Sequence, residues 1–193
     1  MCCLFGFVDY AGSLSVKQRN RLIRELSIAA EARGTDATGI AYNTSRGLQV
    51  YKRPLAAHRL HLRIPAEARA VMGHTRMTTQ GSAKKNYNNH PFFGHVKEES
   101  FALAHNGVLW NDLELRHAKH LPRTKVQTDS YIAVQLLEQK KSLDFDSLRY
   151  MAEQVEGSFS FTVLDEQDAL WIVKGDNPLS IAHFPELGVY VYA

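Results

Sequence analysis

The chain has 193 residues, of which 45% are hydrophobic and 22% charged, and its formal net charge is +3. This length and composition predict one soluble domain over residues 1–193, and the scattered basic residues argue against a nucleic-acid-binding stripe. With no run of ~18 apolar residues, no membrane span is expected, and two adjacent cysteines, Cys2 and Cys3, fit a reducing, cytoplasmic setting better than a disulfide framework.

The first half of the chain begins with a strand-like run, "CLFGFVDY", followed by an amphipathic helix over "SVKQRNRLIRELSIAAEARG". In that helix Leu22, Leu26, Ala29 and Ala30 share one face, and Gly34 is placed to end it. "TGIAYNT" and "LQVYKR" predict two strands around a short turn, "LAAHRLHLR" a short helix and "ARAVMGHTR" a strand. The polar segment "MTTQGSAKKNYNNHPFFGH" predicts a long loop, and such loops are typically functional or disordered.

In the second half, "FALAHNGVL" predicts a strand interrupted by Asn-Gly, and helices are expected at 129–140 and 146–155. Strands return in "SFSFTVLD", "ALWIVKG", "LSIAHF" and "GVYVYA". This order of strands, helices, strands, helices and strands favours an α+β layered domain over alternating βαβ units.

The position of Cys2 directly after the initiator methionine has two interpretations. Methionine before a small residue is commonly removed, and a terminal Cys2 would carry an α-amine with a pKa of ~7.7–8.0 that can take the proton of a thiol with a pKa of ~8.5. The alternative is packing, because cysteine is often buried. Neighbours on a strand point to opposite faces, so Cys3 is expected in the core. Retention of Met1 would block the amine.

Two stretches in the middle of the chain have both a structural and a chemical interpretation. "RGTDATGI", which contains Arg33, is either a helix C-cap with a polar turn or part of a site. Arg76 of "GHTRMTTQG" is either a solvated residue at a strand end or a guanidinium that holds a carboxylate through two parallel hydrogen bonds.

Two later stretches also have both a structural and a chemical interpretation. "AHNGVL" is either a hairpin turn or an oxyanion hole built from the Asn106 amide and the Gly107 N–H. In "QTDSY", Thr128 or Asp129 is either a helix N-cap or, for Asp129, a carboxylate that receives a substrate ammonium. The histidine pairs of "HRLH" and "HAKH" have helical spacing but no third ligand near in sequence, so neither a metal nor a cofactor is expected.

The order of these stretches carries more information than any one of them. An N-terminal cysteine followed by "RGTDATG", "GHTR", "NNHPF", "HNG", "TDS" and "EGSFSF" resembles the class II glutamine amidotransferases, the N-terminal-nucleophile family that includes glucosamine-phosphate synthase and amidophosphoribosyltransferase. The resemblance implies a four-layer αββα sandwich. It also implies that Cys2 is the nucleophile, with its own amine as base, and that Asn106 and Gly107 form the oxyanion hole.

For the substrate, the resemblance implies that Arg76 holds the α-carboxylate of glutamine, with Thr79 nearby, and that Asp129 takes the α-ammonium. It implies supporting roles for Arg33 at the Cys2 end of the site and for His90 in the adjacent loop. The implied reaction is hydrolysis of glutamine to glutamate and ammonia through a Cys2 thioester, without a cofactor.

The sequence departs from the family pattern at Cys3, where glycine is usual, and at Met77, Thr78 and Gln80, where tryptophan, alanine and histidine are usual. A tryptophan at position 77 would help to couple the site to ammonia transfer. The expected partner is an ammonia-accepting synthase protein, with no nucleic acid or membrane, and oligomeric state stays open. The alternatives are a stand-alone amidohydrolase for another γ-glutamyl amide and a non-catalytic binding subunit of the same fold.

Overall fold

The computed structural model describes residues 2–97 and 99–193, so the expectation about Met1 falls outside it. Within these residues the strands are Cys3–Asp9 (β1), Ala37–Thr44 (β2), Gly47–Arg53 (β3), Ala70–Arg76 (β4), Phe92–Val96 (β5), Glu99–Leu109 (β6), Gly157–Asp165 (β7), Leu170–Lys174 (β8), Ile181–Phe184 (β9) and Val189–Tyr192 (β10). The α-helices are Val16–Ala29 (α1), Asp112–Ala118 (α2), Tyr131–Lys140 (α3) and Phe145–Gln154 (α4).

The strands form two antiparallel sheets. One is six-stranded, in the order β3-β2-β4-β1-β10-β9, and the other is four-stranded, in the order β5-β6-β7-β8. β1 therefore lies inside its sheet, paired with β4 on one side and β10 on the other. The predicted α+β class is confirmed. None of the helices over the described residues is long and apolar enough to cross a membrane.

Hydrophobic contacts divide the molecule into four layers. α1 packs on one face of the six-stranded sheet, where Ile23 and Phe5 belong to one core. The other face of that sheet meets the four-stranded sheet in a second core that contains Leu4 and Ala104. α3 and α4 cover the far side of the four-stranded sheet, with Ile132 fully buried. Each buried large apolar side chain contributes about 1.5–3 kcal/mol. The arrangement is the αββα sandwich that the resemblance implied.

The first helix begins and ends as its sequence indicates. Ser15 and Gln18 form a capping box, and a 3-10 turn extends the helix to Gly34. The predicted buried face is wrong at one position, because Ala29 is exposed while Ile23 is fully buried. The face of α1 that is buried therefore includes Ile23, which belongs to the same core as Phe5 and Phe7 of β1, and leaves out Ala29.

Two local predictions in the middle of the chain are wrong. The short helix expected over "LAAHRLHLR" is only a 3-10 turn at Ala57–Arg59. The long loop ends earlier than expected, because Phe92–Val96 is a strand that pairs with β6. Phe92 is buried in the core beneath α3 while Phe93 is exposed, which is the alternation of a half-buried strand.

The Asn-Gly hairpin interpretation is also wrong. β6 runs without interruption from Glu99 to Leu109, and Asn106 and Gly107 pair with Ser160 and Phe159 of β7. Pairing along the whole β6–β7 ladder outweighs the local turn preference. The short helix α2, which follows directly, was not predicted.

Candidate active site

A small cavity lies where the start of β1, the end of β4, the end of β6 and the start of α3 meet. Its lining residues come from widely separated parts of the chain: Cys2, Arg76, Met77, Thr79, Gln80, His90, His105, Gly107, Thr128, Asp129 and Ser130. Six of the eight site residues indicated by the sequence are among them. The other two, Arg33 and Asn106, line a neighbouring cavity of about 210 Å³ together with Cys3.

The two cysteines have different surroundings. Cys3 is buried in the core beneath α1 with Phe5, as the strand alternation predicts. The half-buried Cys2 lines the site cavity, and its Sγ donates to the Met77 carbonyl at 3.5 Å. Burial raises the pKa of the Cys2 thiol, although the nearby positive charge of Arg76 opposes the rise. The thiol therefore needs a base before it can act as a nucleophile.

The "RGTD" segment connects Cys2 to the end of β4. Arg33 donates from Nε to the Cys2 carbonyl at 3.0 Å. The Asp36 carboxylate accepts from the Thr78 N–H at 2.8 Å, and the Asp36 N–H donates to the Arg76 carbonyl at 2.9 Å. A side chain at Gly34 would collide with the Arg76 backbone. This segment thus positions both Cys2 and Arg76 at the cavity.

Arg76 is held by the loop that follows it. Its guanidinium donates from Nη1 to Asn89 Oδ1 at 2.7 Å and from Nη2 to the Gln80 carbonyl. Arginine has five N–H donors, so these two contacts set the plane of the group and leave donors that can serve a ligand. Burial lowers the pKa of Arg76, while the negative charges of Asp36 and Asp129 oppose that change.

Lys52 is a supporting residue that the sequence did not indicate. From β3 its Nζ donates to the carbonyls of Asn89 and Pro91, and it lies 5.0 Å from the centre of the Phe92 ring. Burial lowers its pKa to about 8. Lys52 anchors the "NNHPF" segment and, through Asn89, the position of Arg76. Because its contacts are to backbone atoms far away in sequence, no motif marks it.

Asp129 faces β6 rather than capping its helix. Its Oδ2 accepts from the Leu109 N–H at 2.7 Å, and its Oδ1 accepts from Ser130 Oγ at 3.3 Å. Ser130 occupies the N-cap position of α3 and makes no side-chain capping bond. The N-cap interpretation of Thr128 and Asp129 is therefore wrong. A carboxylate that is already oriented at a cavity wall is suited to bind a cation.

Three buried histidines form the wall behind the cavity. His105 Nδ1 lies 2.8 Å from Ser130 Oγ, and His74 Nε2 lies 3.0 Å from the His105 carbonyl. The centroid of the His90 ring lies 4.2 Å from that of His74, with the two ring planes tilted by 35°, and the His90 nitrogens have no hydrogen-bond partner among the described residues. Burial lowers the pKa of His74 to about 3, that of His105 to about 4 and that of His90 well below its usual value. The wall is therefore uncharged at neutral pH.

Gly107 brings the backbone of β6 to the cavity. Its φ is +148°, and a Cβ there would collide with the Ser158 carbonyl of β7, so glycine is required. Asn177 fixes the preceding peptide, since its Nδ2 donates to the Asn106 carbonyl at 2.7 Å. The Asn106 side chain is buried and lines the neighbouring cavity, and its Oδ1 has no partner among the described residues. Asn177 was not indicated by the sequence, where Asn-Pro marks only a turn.

The site is closed in this conformation. The cavity volume is about 10 Å³, which is space for about one water molecule. Gln80 contributes to the closure, because its side-chain Oε1 accepts from the Asp129 N–H at 2.9 Å. Among the described residues no group of three His, Cys, Asp or Glu side chains could hold a metal, and His58 of the "HRLH" pair contacts Glu31 at 3.0 Å.

Comparisons with known proteins show which family the fold and sequence resemble. The family described as the glutamine amidotransferase domain matches residues 74–189. The glutamine–fructose-6-phosphate aminotransferase (isomerizing) of Bacillus spizizenii is 30% identical over 91% of the chain, and that of Lactococcus lactis is 33% identical over 91%. The chain covers only 30% of the length of each of these relatives.

Solved structures share the fold at lower identity. The glutamine phosphoribosylpyrophosphate amidotransferase from B. subtilis matches the whole chain with a TM-score of 0.71 and 21% identity, over 41% of its own length. A structure described as the allosteric regulatory enzyme of purine biosynthesis matches the whole chain with a TM-score of 0.77 and 20% identity, also over 41% of its own length. At these identities the likeness concerns the fold.

Proposed function

The chain belongs to the glutamine amidotransferase domain family, and from this premise we propose that it hydrolyses glutamine to glutamate and ammonia with Cys2 as the nucleophile. The observation that carries the proposal is the shared cavity of Cys2, Arg76, Gly107 and Asp129. A thiol, a guanidinium, a backbone N–H and a carboxylate are the groups needed to attack an amide and to recognise both charges of a free amino acid.

The reaction would proceed in two steps. After removal of Met1, the α-amine of Cys2 takes the thiol proton and the thiolate attacks the side-chain amide carbon of glutamine. The N–H of Gly107, which lines the same cavity as Cys2, holds the oxyanion, and the Asn106 side-chain amide joins it after turning from the neighbouring cavity. The amine returns its proton as ammonia leaves. Water then attacks the γ-glutamyl thioester, which releases glutamate and restores the thiol. An oxyanion donor of this kind is typically worth about 2.7–4 kcal/mol of the barrier.

The substrate's charged groups have matching partners in the cavity. Arg76 would bind the α-carboxylate, with the Thr79 hydroxyl beside it, and Asp129 would bind the α-ammonium. Both charged side chains are oriented before substrate arrives, Arg76 by Asn89 and Asp129 by the Leu109 N–H. Preorganisation of this kind reduces the entropy lost on binding. An amide within a peptide would lack both charges, so free glutamine suits the site best.

Binding requires the loop after β4 to move. The cavity holds about one water molecule, whereas glutamine has ten non-hydrogen atoms, so the loop over 77–81 must open. The contact that must break is the hydrogen bond from the Asp129 N–H to the Gln80 side-chain oxygen. We propose that this loop opens to admit glutamine and closes over it, which excludes water during thioester formation.

Ammonia produced here would pass to a synthase domain or protein outside residues 1–193, which form the glutaminase unit. The chain spans about 30% of the curated relatives it matches. Met77 is 51% exposed at the edge of the cavity and is the natural first contact for the acceptor. Both cysteines are free thiols, in keeping with a cytoplasmic location. The proposed chemistry uses no cofactor.

The test is turnover by the purified chain that begins at Cys2. We expect equimolar glutamate and ammonia from glutamine, and no product from Cys2→Ser. Faster cleavage of another γ-glutamyl amide than of glutamine would favour the stand-alone amidohydrolase. Glutamine binding without turnover, with the α-amine of Cys2 free, would favour the non-catalytic subunit.

A further inference from the structure

A basic groove lies on the outer face of the molecule, between α1 and the segment 57–64. Its volume is about 910 Å³, and none of the residues that line the Cys2 cavity lines it. Four exposed cations face it: Lys17, Arg21, Arg24 and Arg63. Glu25 is the one acidic residue among the described residues of its lining.

The walls of the groove are held together without a ligand. Asn20 of α1 donates from Nδ2 to the Ile64 carbonyl at 3.0 Å and accepts from the Ile64 N–H at 2.9 Å. Arg19 donates to the Ala66 carbonyl at 2.9 Å. At the other end, Glu31 accepts from the backbone N–H of His58 at 2.6 Å. The groove is therefore a preformed feature of the fold.

The cations of α1 are placed against the ordinary preferences of a helix. Lys17, Arg21 and Arg24 recur at intervals of four and three, so they share one face, and like charges at these spacings repel. The first turn contains Lys17 and no acidic residue, which opposes the helix dipole. None of these three, nor Arg63, has an ion-pair partner within 4.0 Å among the described residues. Unfavourable charge placements of this kind are expected at functional sites, where a bound ligand of opposite charge relieves the repulsion.

We propose that this groove binds an acidic segment of a partner protein. The cations of α1 lie about one helical turn, ~5.4 Å, apart. Alternate side chains of an extended peptide are ~6.6 Å apart. The difference of about 1 Å per step is within the reach of flexible lysine and arginine side chains. The lining also includes Leu60, Leu62 and Ile28, which suits a segment that alternates acidic and apolar residues. Within the described lining there is no Phe, Tyr or Trp on which nucleic-acid bases could stack.

This inference stands apart from the proposed glutamine hydrolysis, because it concerns another face of the molecule. Its probe is a fluorescein-labelled peptide of roughly eight residues that alternates glutamate and leucine, long enough to follow the groove when extended. The matched control peptide has glutamine in place of glutamate. Binding to the full chain is measured by fluorescence anisotropy at low and high ionic strength.

Two double variants with the same net charge separate the groove from general electrostatics. Arg21→Glu with Arg24→Glu reverses the charge of two arginines in the groove. Arg46→Glu with Arg123→Glu reverses the charge of two exposed arginines that line neither the groove nor the Cys2 cavity. We expect the groove variant to weaken peptide binding by about tenfold or more and the control variant by less than about twofold. Higher ionic strength should weaken binding to the wild-type chain.

Glutamine turnover should be the same in both double variants, so a failure of the proposed reaction does not affect this test. Unchanged thermal unfolding shows that the groove variant is folded, and Arg63→Glu offers a second variant on the opposite wall. Absence of peptide binding, equal weakening in the two double variants, or equal binding of the glutamine control peptide would overturn the proposal. If a single-stranded oligonucleotide bound more tightly than the acidic peptide and through the same arginines, the proposal of an acidic protein segment would be wrong.

Discussion

Replacement of Asp129 by asparagine tests how the site recognises its substrate. The carboxylate accepts the Leu109 N–H at 2.7 Å, and the asparagine carbonyl can accept the same bond, so the local structure should survive. What is lost is the negative charge that we propose binds the α-ammonium of glutamine. Hydrogen bonds to charged groups contribute about 1.5–3 kcal/mol. We therefore expect the KM for glutamine to rise by about 10- to 150-fold, with a smaller change in kcat.

The assay compares glutamine with glutaramate, which has the same amide and carboxylate but no α-amino group. In the wild-type chain glutaramate should be the poorer substrate, because the charge of Asp129 has no partner. In Asp129→Asn the difference between the two substrates should largely disappear. This pattern distinguishes loss of ammonium recognition from general damage to the site, which would lower turnover of both substrates.

Ser130→Ala is the companion variant for the same network. Ser130 Oγ lies between Asp129 Oδ1, at 3.3 Å, and His105 Nδ1, at 2.8 Å, so its hydroxyl is engaged in orienting the carboxylate. A hydrogen bond to a charged group contributes about 1.5–3 kcal/mol, and because this one is long at 3.3 Å we expect the lower end, about a tenfold loss confined to glutamine. On the Asp129→Asn background the same substitution should add little. If Asp129→Asn impaired glutaramate as strongly as glutamine, the assignment of Asp129 to the ammonium would be refuted.

The remaining predictions concern stability and the backbone of the site. The folded state holds His74, His90 and His105 neutral with lowered pKa values, whereas an unfolded histidine has a pKa of ~6.5. Below that pH the unfolded chain binds more protons than the folded chain. The free energy of unfolding should therefore fall from about pH 6.5 toward about pH 4, by up to about 1.4 kcal/mol per pH unit per histidine. If urea titrations gave the same free energy of unfolding between about pH 7 and 5, the buried neutral histidine cluster would be contradicted. Gly107→Ala should abolish turnover and lower Tm, because its Cβ collides with the β7 backbone; normal turnover would exclude the Gly107 peptide from the site as described. Cys3→Ala should cost about 1 kcal/mol of stability and keep most turnover, whereas loss of turnover at unchanged stability would reopen the choice of nucleophile.

Much of the fold follows from local patterns in the sequence. The capping box at Ser15 and Gln18 marks the start of α1, and the apolar alternation of "CLFGFVDY" marks β1. Where local signals mislead, long-range pairing is the cause. Asn106 and Gly107 have the sequence of a hairpin turn, but the ladder with β7 keeps them in one strand. The order of the strands within the two sheets depends on pairings such as β1 with β10, and no local sequence pattern specifies these pairings.

The candidate site could be predicted to the extent that its residues belong to motifs. Cys2, Arg76 and Asp129 lie at the ends or starts of regular elements, and the sandwich brings these ends together. Lys52 and Asn177 were not foreseeable, because each acts through hydrogen bonds to backbone carbonyls that are distant in sequence. The closed state of the cavity could not be predicted either, since it arises from how the loop after β4 packs.

In the proposed mechanism, Cys2 becomes a nucleophile only when its α-amine is free. The most direct measurement is intact-mass and peptide mass spectrometry after treatment with a glutamine-mimicking diazoketone, on two preparations of the chain that differ only in the presence of Met1. We predict one covalent adduct on Cys2 in the chain that begins at Cys2, prevented by excess glutamine, and none in the chain that retains Met1. Equal labelling of both preparations, or an adduct on Cys3, would contradict the proposed mechanism.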